Sequence, residues 1–160
     1  MNYNWCVVMS IFCVLASFKS IRTKNDLPLN KLNNNFVILD PTQHGIDADI
    51  KALRIGSPPY WIPTEKDIQT LENILVGFLK QNPARNGKTV DLNNYGRQYI
   101  GCTRNYRKVI YLNAFCHLER ERERWKNQLI IVQDGGACYF QVYFIPDTSQ
   151  FVDLSYNGEA

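Results

Sequence analysis

Cys116 and His117 are adjacent in the chain, and a thiol beside an imidazole is the pairing of a nucleophile with its base. Successive side chains of a strand point to opposite faces, so the two meet only if a strand ends between them. The other histidine, His44, lies in a segment punctuated by Pro41 and Gly45, and a Cys–His enzyme would have to fold it back over a sheet. A structural role asks less of both residues. Cys102, Cys116, Cys138 and the two histidines show no Cys-x-x-Cys or His-x-x-x-His spacing, so no metal or other cofactor is expected. Asp134-Gly135-Gly136 has the composition of an acidic loop whose glycines admit a ligand close to the backbone. A hairpin turn accounts for it more simply, because aspartate and glycine are what positive-φ turn positions select. Gly87-Lys88-Thr89 matches the tail of a phosphate-binding loop, but Asn82 stands where the first glycine is required and a helix precedes it, so the motif is discarded.

One cluster has recognition chemistry without catalytic chemistry. Arg97, Tyr99, Arg104, Tyr106, Arg107, Lys108 and Tyr111 mix arginine and tyrosine over one predicted hairpin, the composition of a protein-binding hot spot or a stacking platform. Tyrosine is also a good strand former, so the cluster has a purely structural reading too. The run from Glu119 to Arg124 alternates in sign and reads as a solvated connection.

These side chains need elements to position them. Thr64 with Asp67 resembles a capping box, and Ile68, Leu71, Ile74, Leu75, Phe78 and Leu79 then recur on one face of a helix that should stop near Pro83. The C-terminal half reads as strands at Arg97 to Cys102, Lys108 to Cys116, Leu129 to Gln133, Cys138 to Ile145 and Phe151 to Asn157, joined by short turns. Phe36 to Leu39 reads as an edge strand with no obvious partner or as a segment laid over the core, and residues 40–63 as an ordered, aromatic-anchored connection. Alternation places Cys138, Phe140, Val142 and Phe144 on one face of their strand, so Ile74, Phe78, Phe140 and Val142 are expected to meet in the core. The expected fold is α+β, with one amphipathic helix on a curled antiparallel meander of four to five strands in a cystatin-like or NTF2-like arrangement.

Ahead of this domain, taken as residues 36–160, the run from Trp5 to Leu15 is apolar and no charged side chain precedes Lys19. It has the length of a secretory core and is too short to span a bilayer, while Val14 and Ala16 supply small residues for cleavage. Residues 1–16 are therefore read as a secretion signal and 17–35 as a flexible leader rich in asparagine. The mature chain would begin near Ser17, with no stable membrane insertion. A retained anchor is the alternative, since Lys19, Arg22 and Lys24 follow the run instead of preceding it. Phe12 and Trp5, which precede Cys13 and Cys6, argue against lipidation. Three cysteines then remain, an odd number that leaves at least one free thiol, and burial of all three in strands is the simplest reading.

The chain has 160 residues, 45% of them hydrophobic and 21% charged, which is room for one ordinary globular domain and excludes collagen-like, coiled-coil and disordered classes. The 18 basic and 15 acidic residues leave a net charge of +3, too little to favour nucleic acid. Tyr95-Gly96-Arg97-Gln98-Tyr99, Tyr111-Leu112-Asn113-Ala114-Phe115, Trp125-Lys126, Val132-Gln133-Asp134-Gly135-Gly136, Tyr139-Phe140 and the ending Asn157-Gly158-Glu159-Ala160 carry a resemblance. They are similar, in order, to a group of small uncharacterised exported bacterial proteins with an Asp-Gly-Gly-centred C-terminal sheet. The resemblance covers less than half the chain and implies secretion or the cell envelope; the group has no established activity to transfer.

Two functions are expected on these grounds. The first is an exported, non-enzymatic module that binds another macromolecule, a protein partner, through Arg97, Tyr99, Arg104, Tyr106, Arg107 and Tyr111. The alternative is a small envelope hydrolase or isomerase with a pocket between helix and sheet and His117 or Asp134 as acid or base.

Overall fold

The computed structural model describes residues 35–85, 87 and 90–158. The expected signal, the leader up to residue 34, the Lys-Thr of the discarded loop pattern and Glu159-Ala160 lie outside the described residues. No helix among the described residues is long and apolar enough to cross a membrane.

The described chain runs β1 (Phe36–Ile38), α1 (Ile46–Ala52), β2 (Ser57–Trp61), α2 (Glu65–Gln81), β3 (Gly96–Arg104), β4 (Arg107–Phe115), β5 (Tyr139–Ile145) and β6 (Gln150–Tyr156), with a single helical turn at Leu118–Glu121. It is an α+β fold. Helix α2 starts where the capping box places it: Asp67 N–H donates to Thr64 Oγ1 at 3.2 Å, and Thr64 N–H donates to Asp67 Oδ2 at 2.8 Å. Each oxygen satisfies an amide that the helix start leaves unpaired. The helix ends at Asn82, one residue before Pro83, as the steric clash with proline requires.

Strands β3, β4, β5 and β6 form an antiparallel meander, and β1 joins the outer edge of β3 in parallel. The edge strand expected at Phe36 thus has a partner, and it is β3. The β3–β4 turn is tight. Arg104 pairs with Arg107, and Asn105 and Tyr106 hold φ of 49° and 62°, the positive values a two-residue hairpin needs to match strand twist.

Helix α2 covers one face of the sheet. Ile68, Leu71, Leu75 and Leu79 are buried there against Tyr99, Leu112, Phe140, Val142 and Phe144. Such burial contributes about 1.5–3 kcal/mol for each large apolar side chain. Ile74 does not join them, contrary to expectation; it is 39% exposed, in an open hollow with Phe78, Ser149 and Phe151. The sheet ends at β6 and does not curl round the helix, so no strand among the described residues covers Ile74, while Phe78 is held by stacking on Phe151 at 4.7 Å.

Three further expectations need correction. Among the described residues there are two helices longer than a single turn and not one, because α1 forms within the segment read as a connection. Its apolar signal is only Ile46 and Ile50, one turn apart, and tertiary burial of both sustains so short a helix. The sheet has six strands and not four to five: β2, despite Pro58 and Pro59, pairs antiparallel with β3 beside β1. An edge strand tolerates prolines because its outer side needs no donors. Trp61 Nε1 and Thr103 Oγ1 add side-chain bonds across this junction, to Cys102 O at 3.1 Å and Pro59 O at 2.8 Å. Finally, Leu129 to Gln133 is not a strand but a strap lying across the sheet face opposite α2.

Candidate functional site

The strap is extended but unpaired with any strand, and its anchors are side-chain amides rising from the sheet. Gln98 on β3 and Asn113 on β4 are buried and opposite each other in register. Gln98 Nε2 donates to Trp125 O at 2.6 Å and Gln128 O at 2.7 Å, while its Oε1 accepts from Ile130 N–H at 2.9 Å and from Asn113 Nδ2 at 3.0 Å. Asn113 Nδ2 also donates to Ile130 O at 2.8 Å. The next amide, Gln141 on β5, reaches both Asn113 Oδ1 and Asn157 Oδ1 at 3.3 Å. Asn157 completes the row by donating to Val132 O at 2.5 Å and Asp134 O at 3.1 Å. Four amides crossing the sheet thereby pair Ile130 at both N–H and C=O and Val132 at its C=O, the part of a strand ladder that ties the strap to the sheet.

Between this strap and the end of α1 the sheet face stays open as a groove of about 320 Å³. Its floor is Tyr111 and Asn113 of β4, Gln141 and Tyr143 of β5, and Asp153, Ser155 and Asn157 at the C-terminal end. Leu129 to Gln133 form one wall, Leu53 and Ile55 the other. Ile131 and Leu53, on opposite rims, are 47% and 46% exposed. Asp153, at φ 53° where β6 slips register against β5, is the one ionisable acid or base among the described residues lining the groove apart from the tyrosines, and it pairs with Arg104, whose guanidinium lies 4.3 Å from the Tyr143 ring centroid.

Tyr111 is the distinctive group of the floor. It is 8% exposed, stacks on Tyr143 at 5.3 Å and lines the groove, yet its hydroxyl has no hydrogen-bond partner among the described residues. Burial pushes that hydroxyl far above the ordinary tyrosine value, with Tyr143 adding to the rise, so it remains a neutral donor. Tyr143, by contrast, donates to Ile55 O at 2.9 Å. On the strap, the N–H groups of Ile131, Val132 and Gln133 likewise have no partner among the described residues.

The six residues expected to form one binding surface are divided by strand alternation. Arg97 and Tyr99 lie under α2: Arg97 Nε donates to Glu72 Oε1 at 2.6 Å, Tyr99 donates to the same oxygen, and Arg97 Nη1 donates to Leu92 O at 2.8 Å. Their exposure is 2% and 0%, so they hold the helix to the sheet and present nothing to a partner. Tyr111 belongs to the groove. Arg104, Tyr106 and Arg107 remain at the hairpin tip, where Tyr106 is fully exposed. Of the alternative pair, His117 and Asp134 are both exposed and neither lines the groove. The space between helix and sheet where their pocket was expected is filled by the core described above. Asp134-Gly135-Gly136 takes positive φ at both glycines, 91° and 56°, but it is not the expected hairpin turn: the strap before it is not a strand, and Gly136–Cys138 is a 3₁₀ turn leading into β5.

Sequence reasoning passed over the amide row. A signal was present: Gln98, Asn113 and Gln141 each stand in the interior of an otherwise apolar or aromatic strand, where a polar side chain needs a partner.

The cysteines also resolve differently from three buried thiols. Cys116 and Cys138 form a disulfide, with Cα atoms 5.1 Å apart, and close the 22-residue excursion that carries the strap. Among the described residues Cys102 is the free thiol; it is fully buried beside Ile55, and burial pushes it up to about 11. A raised thiol value favours the protonated form, so at pH 8 the reactive thiolate is on the order of one part in a thousand. Iodoacetamide at pH 8 should leave Cys102 unmodified in the native chain and alkylate it after denaturation, as read by peptide mass mapping. Rapid native labelling would contradict its burial.

No known family matches this chain, and neither a curated protein nor a solved structure matches it. The reading of function therefore rests on the groove.

Proposed function

We propose that this protein is an exported, non-enzymatic binding module that takes an extended, uncharged peptide segment of a partner protein into the Tyr111 groove. The observation that carries this is Tyr111 itself, buried, lining the groove and with a hydroxyl left to a ligand. A groove of about 320 Å³ sits at the small end of ligand pockets, enough for two or three side chains of a segment that continues past both ends. Unpartnered N–H groups on the strap offer main-chain pairing of the kind by which extended peptides add to a sheet. Leu53 and Ile131 supply apolar rims, and the Arg104–Asp153 pair leaves no uncompensated charge to recruit an ionic ligand. The apolar N-terminal run and the resemblance to exported proteins support export, and the groove's apolar rims and unpaired main-chain donors are what favour a protein partner. The helix laid over an antiparallel meander supports a cystatin-like element order, with β1, α1 and β2 as an elaboration of one edge.

Selection from a random-peptide display library tests the reading. Uncharged, strand-prone sequences should be enriched, and Tyr111→Phe should weaken a selected peptide several-fold, since one hydrogen bond is worth about 0.5–1.5 kcal/mol. Ile131→Lys, on the exposed rim, should weaken it further. The Arg104→Ala, Arg107→Ala double variant should bind as the parent does. Loss of binding in the double variant, with Tyr111→Phe unaffected, would move the surface to the hairpin tip.

A further inference from the structure

Cys116, His117 and Cys138 show no ligand spacing in the sequence, and the sheet register is what assembles them. Phe115 pairs with Tyr139, so the next residue of β4 and the residue before β5 become neighbours, and Cys116 N–H donates to Cys138 O at 2.9 Å. Strand β4 ends at Phe115, and His117 takes the left-handed conformation at φ 59° and ψ 43°. That turn breaks the alternation that would carry the ring to the other face. A sulfur from each cysteine and a ring nitrogen of His117 consequently lie within 4.8 Å of one another. The cysteines are half-buried and His117 is exposed, which leaves one side of the triad open to water.

We propose that the reduced chain holds a zinc-class divalent ion at this triad, as an alternative to the disulfide. Two thiolates and one imidazole are the donor set of soft to borderline metals, and a water completes four-coordination. The chemistry balances with a dithiol as reductant. The dithiol gives up two electrons and two protons and closes to a cyclic disulfide; the Cys116–Cys138 bond opens to two thiols. Zn2+ then displaces one proton from each thiol and takes the lone pair of a neutral imidazole. Either state ties residue 116 to residue 138, so the excursion bearing the strap stays closed in both. Nothing in this inference depends on what the groove binds.

The test uses the full chain carrying Cys6→Ser and Cys13→Ser, reduced with a dithiol, freed of reductant without air and titrated with Zn2+ against a chromophoric chelator. One equivalent should bind the reduced chain and none the oxidised chain. Co2+ in place of Zn2+ should give thiolate charge-transfer bands and the strong visible absorption of a tetrahedral site. His117→Asn, whose new side chain tolerates the left-handed backbone, should lose at least the roughly 10–100-fold in affinity that removing a hydrogen-bond partner of a metal ligand already costs. Uptake no greater than that of the Cys116→Ser, Cys138→Ser variant overturns the proposal, as does unchanged affinity in His117→Asn. If reduction alone abolishes the near-UV circular dichroism, its recovery on adding Zn2+ supports the site and its failure to recover rejects it.

Discussion

Glu72→Ala should destabilise the domain by about 3–5 kcal/mol, because it leaves the Arg97 guanidinium buried without its counter-charge. The two side chains are 2% and 8% exposed and meet at 2.6 Å, and Tyr99 donates to the same carboxylate oxygen. Arg97 is bound as well to the carbonyls of Leu92 and Tyr95, at 2.8 and 3.1 Å, so it cannot swing out to water without breaking the turn that leads into β3. Glu72→Gln should cost less, since an amide oxygen still accepts from Tyr99. Replacing both charges, with Glu72→Leu and Arg97→Met, should recover much of the loss, because two desolvation penalties disappear together. Urea denaturation of the three variants checks this. A Glu72→Ala midpoint equal to that of the parent would mean that water reaches Arg97 and that the pair is not sealed by α2.

Phe140→Ala should cost a similar amount, about 3–5 kcal/mol, for a different reason. Phe140 is fully buried and lies 5.7 Å from the ring of Tyr95 and 5.8 Å from that of Tyr156, so truncation opens a cavity lined by groups fixed by their own bonds. Tyr95 donates to Ala137 O at 2.8 Å and Tyr156 to Asn82 O at 2.9 Å, and neither ring can collapse inward while keeping its bond. Against a total stability of about 5–15 kcal/mol, the loss is a large fraction. Ile74→Ala is the informative comparison. Three residues C-terminal to Leu71 and just before Leu75 in sequence, it stands outside the packed face, and its truncation should change stability by no more than about 0.5 kcal/mol. Equal losses at the two positions, measured by thermal denaturation, would show that the sheet closes over Ile74 after all.

The apolar periodicity of residues 68–79 and the Thr64–Asp67 pair determined α2 by themselves, since both act within a few residues of chain. Alternation in Cys138 to Ile145 likewise determined which side of β5 meets the helix, whereas Asp134-Gly135-Gly136 determined positive φ at its glycines but not the hairpin, which needed a strand before it. Ile74 marks the limit of such reasoning. Periodicity says which residues share a helix face, but how far the opposing sheet extends belongs to the partner surface. Leu129 to Gln133 shows the same limit more sharply: its apolar run has the composition of a strand, yet its hydrogen bonds go to Gln98, Asn113 and Asn157, residues tens of positions away. Arg97 and Tyr99 had the composition of a recognition surface, and alternation could place them on one face without saying that α2 covers it. The groove at Tyr111, the Cys116–Cys138 bond and the approach of His117 to both sulfurs were decided only by the tertiary structure. Each joins groups through strand register and a single left-handed residue, and register is set by the packing of all six strands and α2 at once, not by any local run of side chains.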